Sequence, residues 1–326
     1  MAAYQYTFKK FLRDWALIVS MIVGASSYLA YHALPVLHFA GPVLAEVVTR
    51  LQPVLLFVML FLSFCRIEPH QMRPHRWMLW LLVLQGGLFV LLALLLAFVP
   101  NLPMRHGVEA FMLCIICPTA TACAVITGKL GGNMAGVVTY TVLINLLVSV
   151  LVPLMVPIVH PVEGLSFYSA FLKILVKVFP LLIAPCMLAW VVRYLLPSFH
   201  AMLVKWTDLP FYIWAFSLSL AILMSTRAIV QNTAGAVVLV EILVGSLLAC
   251  VFQFWAGKAI GAHSKCRISA GQALGQKNTV FGIWMGYTFF TPVVSVAGGF
   301  YSIWHNCYNS WQLYRKRKSK SSVPEQ

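Results

Sequence analysis

The chain has 326 residues, 61% of them hydrophobic and only 10% charged, with a mean hydropathy of +0.87. That balance excludes a soluble globular domain and defines a polytopic membrane protein. The formal net charge of +15 does not indicate a nucleic-acid binder, because the basic residues are scattered between apolar stretches. Their one dense cluster, Arg315-Lys316-Arg317-Lys318, is short and suited to anionic lipid.

A helix needs about 20 apolar residues to cross the hydrocarbon core, and ten stretches meet that requirement. In chain order they are Trp15 to Pro35, Leu44 to Cys65, Trp77 to Val99, Gly107 to Ile126, Asn133 to Pro157, Phe167 to Leu195, Leu209 to Ile229, Thr233 to Gly257, Ile268 to Phe290 and Thr291 to Trp311. The first is too long for a signal-peptide core and has no convincing cleavage site, so it is expected to be retained. Cytoplasmic loops keep Lys and Arg. With both termini inside, 17 of the 23 basic residues fall on that side, from Lys9, Lys10 and Arg13 to Lys318 and Lys320, against Arg50, Arg105 and Arg227 opposite. The expected location is a plasma or inner membrane.

Two spans are interrupted. The fourth contains Cys117-Pro118-Thr119-Ala120-Thr121-Ala122, where proline removes a helical donor and small or hydroxyl residues surround the gap. The ninth contains Gly271-Gln272-Ala273-Leu274-Gly275-Gln276-Lys277-Asn278-Thr279. Lys277 lies at bilayer depth, where an ammonium costs about 2.5 to 3.5 kcal/mol on insertion scales and marks a functional site. The interruptions fall at matching places in two five-span halves, residues 1–160 and 161–314, followed by a basic tail, 315–326. Matched broken helices point to an inverted-repeat transporter, since an odd number of spans per half reverses the second half. The substrate is then expected near Thr119, Thr121, Gln276, Asn278 and Thr279, where half-helix N-termini offer free N–H groups to an anion. Proline kinks and glycine contacts are also common in membrane helices, which is the bland account of each break alone.

At these residues the chain resembles the bile acid:sodium symporter family. Cys117, Pro118, Thr121 and Ala122 match that family's Cys-Pro-Gly-Gly-Thr-Ala-Ser-Asn, and Gly132-Asn133 follows at similar spacing. Gly275 and Asn278 match its Glu-x-Gly-x-Gln-Asn, and Tyr301-Ser302-Ile303-Trp304-His305-Asn306 matches its Phe-Ser-x-Trp-His-Asn. The resemblance implies an all-α fold of ten helices in two inverted repeats. Spans 1, 2, 6 and 7 would form a panel, and spans 3 to 5 and 8 to 10 a core with crossed helices 4 and 9. Substrate would bind in the crevice between panel and core.

The departures bear on coupling. Family members hold two sodium ions with oxygen ligands from spans 3, 4, 5 and 9, as a hard cation requires. Here the family's glutamate becomes Ala273, its glutamine Lys277, its Ser-Asn Cys123-Ala124, and a fifth-span serine Val137, while Gln85 and Thr141 still match. A register shifted by one pairs Gln272 and Gln276 with the family's Glu and Gln but forfeits the Gly275 and Asn278 matches. The Lys277 ammonium is therefore expected to stand where a sodium would sit, donating to helix-end carbonyls and to Gln85. Two roles compete for it: a permanent brace for the crossing, or a group that exchanges a proton during transport.

Other charges within spans are weighed similarly. Glu241 is expected to be the only carboxylate well inside a span, pairing with Lys277 or with a basic residue nearer the surface, as part of a proton relay or of a structural ion pair. Lys173 and Lys177 share a face of the sixth span, either snorkelling to the outer interface or lining the crevice. His305 is expected to be a hydrogen-bonded packing residue, and Asn145 to line the core. Cys114 and Cys117 have CxxC spacing but an apolar setting with no second pair, which favours small-residue packing over metal or redox chemistry.

Catalysis is not expected. Asp14 and Asp208 sit outside spans or at their ends, and the sequence has neither a His-Glu-x-x-His nor a Gly-x-Ser-x-Gly setting. The expected protein is a secondary transporter of small organic anions, bile acids or smaller carboxylates, without a cofactor and without need of sodium, with protons as a candidate coupling ion. A sodium-coupled symporter or a non-transporting sensor of the same fold are the alternatives.

Overall fold

A computed structural model describes residues 15–206, 208–233 and 235–321. Lys9, Lys10, Arg13, Asp14 and the tail beyond residue 321 lie outside the described residues. Among those described, the protein is all-helical, with thirteen α-helices. Seven are long and apolar enough to cross a membrane: α1 (Ala16–Ala33), α2 (Gly41–Cys65), α3 (Arg76–Phe98), α6 (Met134–Val159), α7 (Phe167–Leu195), α9 (Leu209–Val230) and α10 (Ala236–His263). They overlap the predicted spans 1, 2, 3, 5, 6, 7 and 8, with α10 running on past the predicted Gly257 to His263, because in each case a long, mainly apolar run defines the helix.

The remaining predicted spans take another form. The fourth is two helices, α4 (Arg105–Ile116) and α5 (Cys123–Lys129), and the ninth is α11 (Arg267–Gly275) and α12 (Thr279–Phe289). The tenth, α13 (Val296–Ser321), begins later than predicted and continues through the basic cluster, so Arg315 to Lys318 are helical. A further short helix, α8 (Pro197–Lys205), joins α7 to α9. It has Pro in its first turn, where the missing N–H costs nothing. Three helix starts are capped by side chains: Asn133 Oδ1 accepts from Gly136 N–H on α6, Ser166 Oγ from Ser169 N–H on α7, and Asn278 Oδ1 from Phe281 N–H on α12. Each cap satisfies a donor that the helix leaves without a partner.

The helices pack in two groups. In one, α9 lies against α1 and α2, and α2 against α7; in the other, α10 packs on α4, α11 and α13, α3 on α4 and α6, and α12 on α13; α6 packs along α7 and joins the two. Small residues set the closest crossings, as expected where lipid supplies no hydrophobic drive between helices. A Cβ on Gly245 of α10 would fall 2.2 Å from the Gly107 carbonyl oxygen of α4. Gly245→Val should therefore force α4 from α10 and destabilise the fold by about 1 to 3 kcal/mol or more. Thermal unfolding in detergent tests this, and an unchanged midpoint would contradict so close a crossing.

The groups meet along a cleft between α2, α9 and α12. It is lined by Gln52, Met224, Ile283 and Trp284 and holds only about 20 Å³, roughly the space of one water.

Candidate functional site

The two interruptions meet each other. Pro118 lacks an N–H and drives the preceding residue out of the α region; Cys117 is accordingly at φ −49°, ψ 132°, where α4 ends. On the other side Gln276 is extended at φ −93°, ψ 99°. The two extended segments pair antiparallel at Thr119 and Lys277. Ala120 N–H donates to the Gln276 carbonyl at 2.9 Å, and Asn278 N–H to the Pro118 carbonyl at 2.8 Å. This pairing gives each break two backbone partners, one donor and one acceptor, in place of those that a continuous helix would have supplied.

Side chains secure the helix ends around this pair. Thr119 Oγ1 donates to the Ala273 carbonyl at 2.7 Å. Gln85 Nε2 donates to the carbonyls of Ile116 and Cys117 at 3.4 and 3.1 Å, and is itself held by Tyr140, whose hydroxyl donates to Gln85 Oε1 at 2.9 Å. Across the crossing, Tyr301 donates to the Gly275 carbonyl at 2.8 Å. Gln253 Nε2 donates to the Tyr301 hydroxyl at 3.0 Å and to the Cys114 carbonyl at 3.3 Å. Ser302 Oγ donates to Thr279 Oγ1 at 2.6 Å. Each break is thus clamped by one glutamine and one tyrosine.

Lys277 is 1% exposed, and its Nζ makes no hydrogen bond to any described residue. Its titratable neighbours are Cys114, Cys117 and Cys123, all buried thiols without a disulfide. The polar atoms on either side are also unpartnered: Gln276 Oε1 and Asn278 Nδ2 are buried with no hydrogen-bond partner among the described residues. Three successive residues therefore carry unused donors or acceptors, in a protein interior where such groups are normally satisfied. The first break is more open, with Thr121 half-buried and Ala122 exposed.

Several expectations change. Gln85 does not meet Lys277, because the carbonyls that Pro118 leaves without helical donors already take its amide. Thr141 Oγ1 donates to the Val137 carbonyl within its own helix at 2.9 Å. Glu241 faces His106, with Nδ1 3.8 Å from its Oε2, rather than Lys277. It is also not the only enclosed carboxylate. Glu109, one turn into α4, is 3% exposed and is held by Arg105 at 3.0 Å, with His160 Nε2 at 3.7 Å. The Arg105–Glu109 spacing of four residues was the available signal. Lys173 and Lys177 are exposed on α7, and Lys177 Nζ lies 5.9 Å from the Phe289 ring centroid. His305 packs edge-on against Tyr301, but its Nδ1 has no hydrogen-bond partner among the described residues, and neither has either side-chain polar atom of buried Asn145. Gln253, Tyr140 and Glu109 had not been singled out. Gln253 was legible only as a lone amide within an apolar span.

No known family model matches the chain, and no curated protein matches it.

Proposed function

We propose that this chain is a divergent relative of the bile acid:sodium symporters and a secondary transporter of small organic anions, with the crossed breaks as its substrate and coupling site. The observation that carries this reading is the backbone pairing of Thr119 with Lys277 beside the buried, unpartnered Lys277 amine. A brace would use its three donors; this amine uses none on the described residues. It is free to serve an anion or to exchange a proton, and it stands as a tethered cation in place of sodium.

Two features support a ten-crossing, two-repeat organisation. Gln85, held by Tyr140, reaches the first break from the third and fifth crossings, and Tyr301, held by Gln253, reaches the second from the tenth and eighth. The two packing groups also correspond to a panel and a core. Because the cleft between them is nearly closed, substrate admission requires the groups to move apart, as alternating access demands. The anion would lie at the N-terminus of α12, where the helix leaves the first amides without acceptors, with Asn278 Nδ2 and Lys277 Nζ as side-chain donors.

Asn278→Ser separates binding from folding at this site. Serine keeps a cap acceptor for Phe281 N–H but removes the Nδ2 donor, so substrate affinity should fall about tenfold, as for a lost hydrogen bond to a charged group, with little change in unfolding temperature. Thr119→Val, which loses the bond to Ala273, should instead loosen the crossing. A thermal-shift screen of carboxylates on purified protein, followed by uptake into proteoliposomes, tests the function. Binding without uptake would identify a sensor, and unchanged affinity in Asn278→Ser would move the site elsewhere.

The proposed topology puts both termini in the cytoplasm. Cysteines introduced at Leu37 and Ser319 should be labelled by a membrane-impermeant thiol reagent from outside and from inside, respectively. Outside labelling at position 319 in intact cells would refute it.

A further inference from the structure

A larger cleft lies away from the crossing, on the face formed by α10, α11 and α13, with a volume of about 1140 Å³. Its walls are apolar and aromatic: Val251 and Trp255 from α10 are 60% and 66% exposed, and Trp311 from α13 is 48% exposed. Trp304 lies deeper, donating through Nε1 to Ser246 Oγ at 3.2 Å.

The cleft changes character toward the C-terminal ends of α10 and α13, where Lys258, Arg267 and Arg315 line it. Lys258 Nζ donates to the Tyr308 hydroxyl at 2.8 Å and to Gln312 Oε1 at 2.6 Å. The Arg315 guanidinium lies 5.2 Å from the Trp311 ring centroid. Among the described residues, none of these three cations pairs with a carboxylate. From Leu247, at the apolar end, to Lys258 is eleven residues of α10, about 16 Å, close to half of a hydrocarbon core about 30 Å thick.

We propose that this groove is a binding site for one anionic phospholipid. The headgroup phosphate lies against Lys258, Arg267 and Arg315, and the acyl chains run along Val251, Trp255 and Trp311. The depth of one leaflet fits the chains, and three cations without acidic partners at the interfacial end fit the phosphate, as in basic pockets between membrane helices. A soluble anion would leave the apolar wall unused, and a zwitterionic lipid would leave the positive charge uncompensated. The inference is independent of what the crossed breaks transport. It concerns α11 directly, because Arg267 opens the helix that leads to the second break.

Tryptophan quenching in nanodiscs tests the site on the full chain. At equal mole fraction in a phosphatidylcholine background, brominated phosphatidylglycerol should quench the protein's fluorescence more than brominated phosphatidylcholine. Most of that excess should disappear in Trp255→Phe/Trp311→Phe. Arg267→Gln/Arg315→Gln should lower the preference for phosphatidylglycerol about thirtyfold, from roughly 1 kcal/mol for each of the two basic residues near the membrane surface. Equal quenching by the two lipids in the unaltered protein overturns the proposal, and needs no variant to fold. An excess that survives the loss of both arginines also overturns it, as does displacement of the brominated lipid by millimolar glycerol phosphate, which would mark a site for soluble anions.

Discussion

Lys277→Met is expected to make the protein more stable and less active. Methionine has nearly the length of lysine, suits a site beside the buried thiols of Cys114, Cys117 and Cys123 and needs no hydrogen bonds. The native amine is 1% exposed with no hydrogen-bond partner among the described residues, so the fold bears the cost of burying it, whether by desolvating the charge or by removing the proton. Replacing a buried charge by an apolar side chain of similar volume is often neutral or stabilising. From insertion scales the gain should be of the order of 1 to 3 kcal/mol, read as a rise of several degrees in the unfolding temperature in detergent. If the proposed function holds, uptake into proteoliposomes should fall at least tenfold with the amine gone; a buried charged hydrogen bond lost from a site is worth about 1.5 to 3 kcal/mol. If stability and uptake fall together, Lys277 is a brace for the crossing. If uptake survives, the amine has no part in transport.

How much of this could be read from the sequence depended on whether a feature was local. Seven long helices follow from continuous apolar runs, and the two breaks from Pro118 and from the Gly275 to Thr279 segment. Their direct pairing was not legible. It consists of backbone bonds between Pro118 and Asn278 and between Ala120 and Gln276, and backbone donors carry no side-chain signature. The same reason explains the misplaced partner of Gln85. Its amide type suggested an ion ligand, but the carbonyls exposed at the end of α4 compete for it first. Glu109 reads as interfacial from the sequence because it lies only a turn inside its span; the packing of α4 on α10 and α3 encloses it. Asn278, by contrast, was legible in position but carries a second duty: its oxygen caps α12 while its nitrogen stays unused.

The Gln–Tyr clamps illustrate how polar groups earn a place in this core. Gln85 takes the terminal carbonyls of α4 while Tyr140 fixes its amide, and Tyr301 takes the Gly275 carbonyl while Gln253 fixes its hydroxyl, so polar side chains tie both breaks to the helices around them. With the backbone on both sides of Lys277 hydrogen-bonded, the amine is an unpaired group at the crossing among the described residues. A long flexible side chain with three donors can turn toward a bound anion without breaking the pairing of Thr119 and Lys277.

Transport by this protein is expected to proceed without sodium. In the resembling family the ion is held by side-chain oxygens, and here Ala273, Cys123-Ala124 and Val137 offer none at the corresponding positions. Two groups that still match, Gln85 and Thr141, are engaged elsewhere: one on the α4 terminal carbonyls, the other on the Val137 carbonyl. The ammonium adds repulsion to the missing ligands. Two unit charges about 4 Å apart at an effective dielectric of 20 repel by about 4 kcal/mol, close to a thousandfold in affinity. Uptake of the substrate found in the carboxylate screen should therefore be unchanged, within about twofold, when sodium is replaced by potassium or choline on both sides of the proteoliposome membrane; a sodium-coupled carrier would lose most of its concentrative uptake. An absolute sodium requirement would refute the tethered-cation reading. Lys277→Gln carries the test further, because it removes the charge and supplies the family's glutamine while leaving Ala273 in place of the glutamate. Uptake by this variant should be reduced, and adding sodium should not restore it, since one amide oxygen cannot replace the absent carboxylate in a site for a hard cation. Recovery of uptake in sodium alone would mean that the remaining oxygens still form an ion site and that Lys277 merely blocks it.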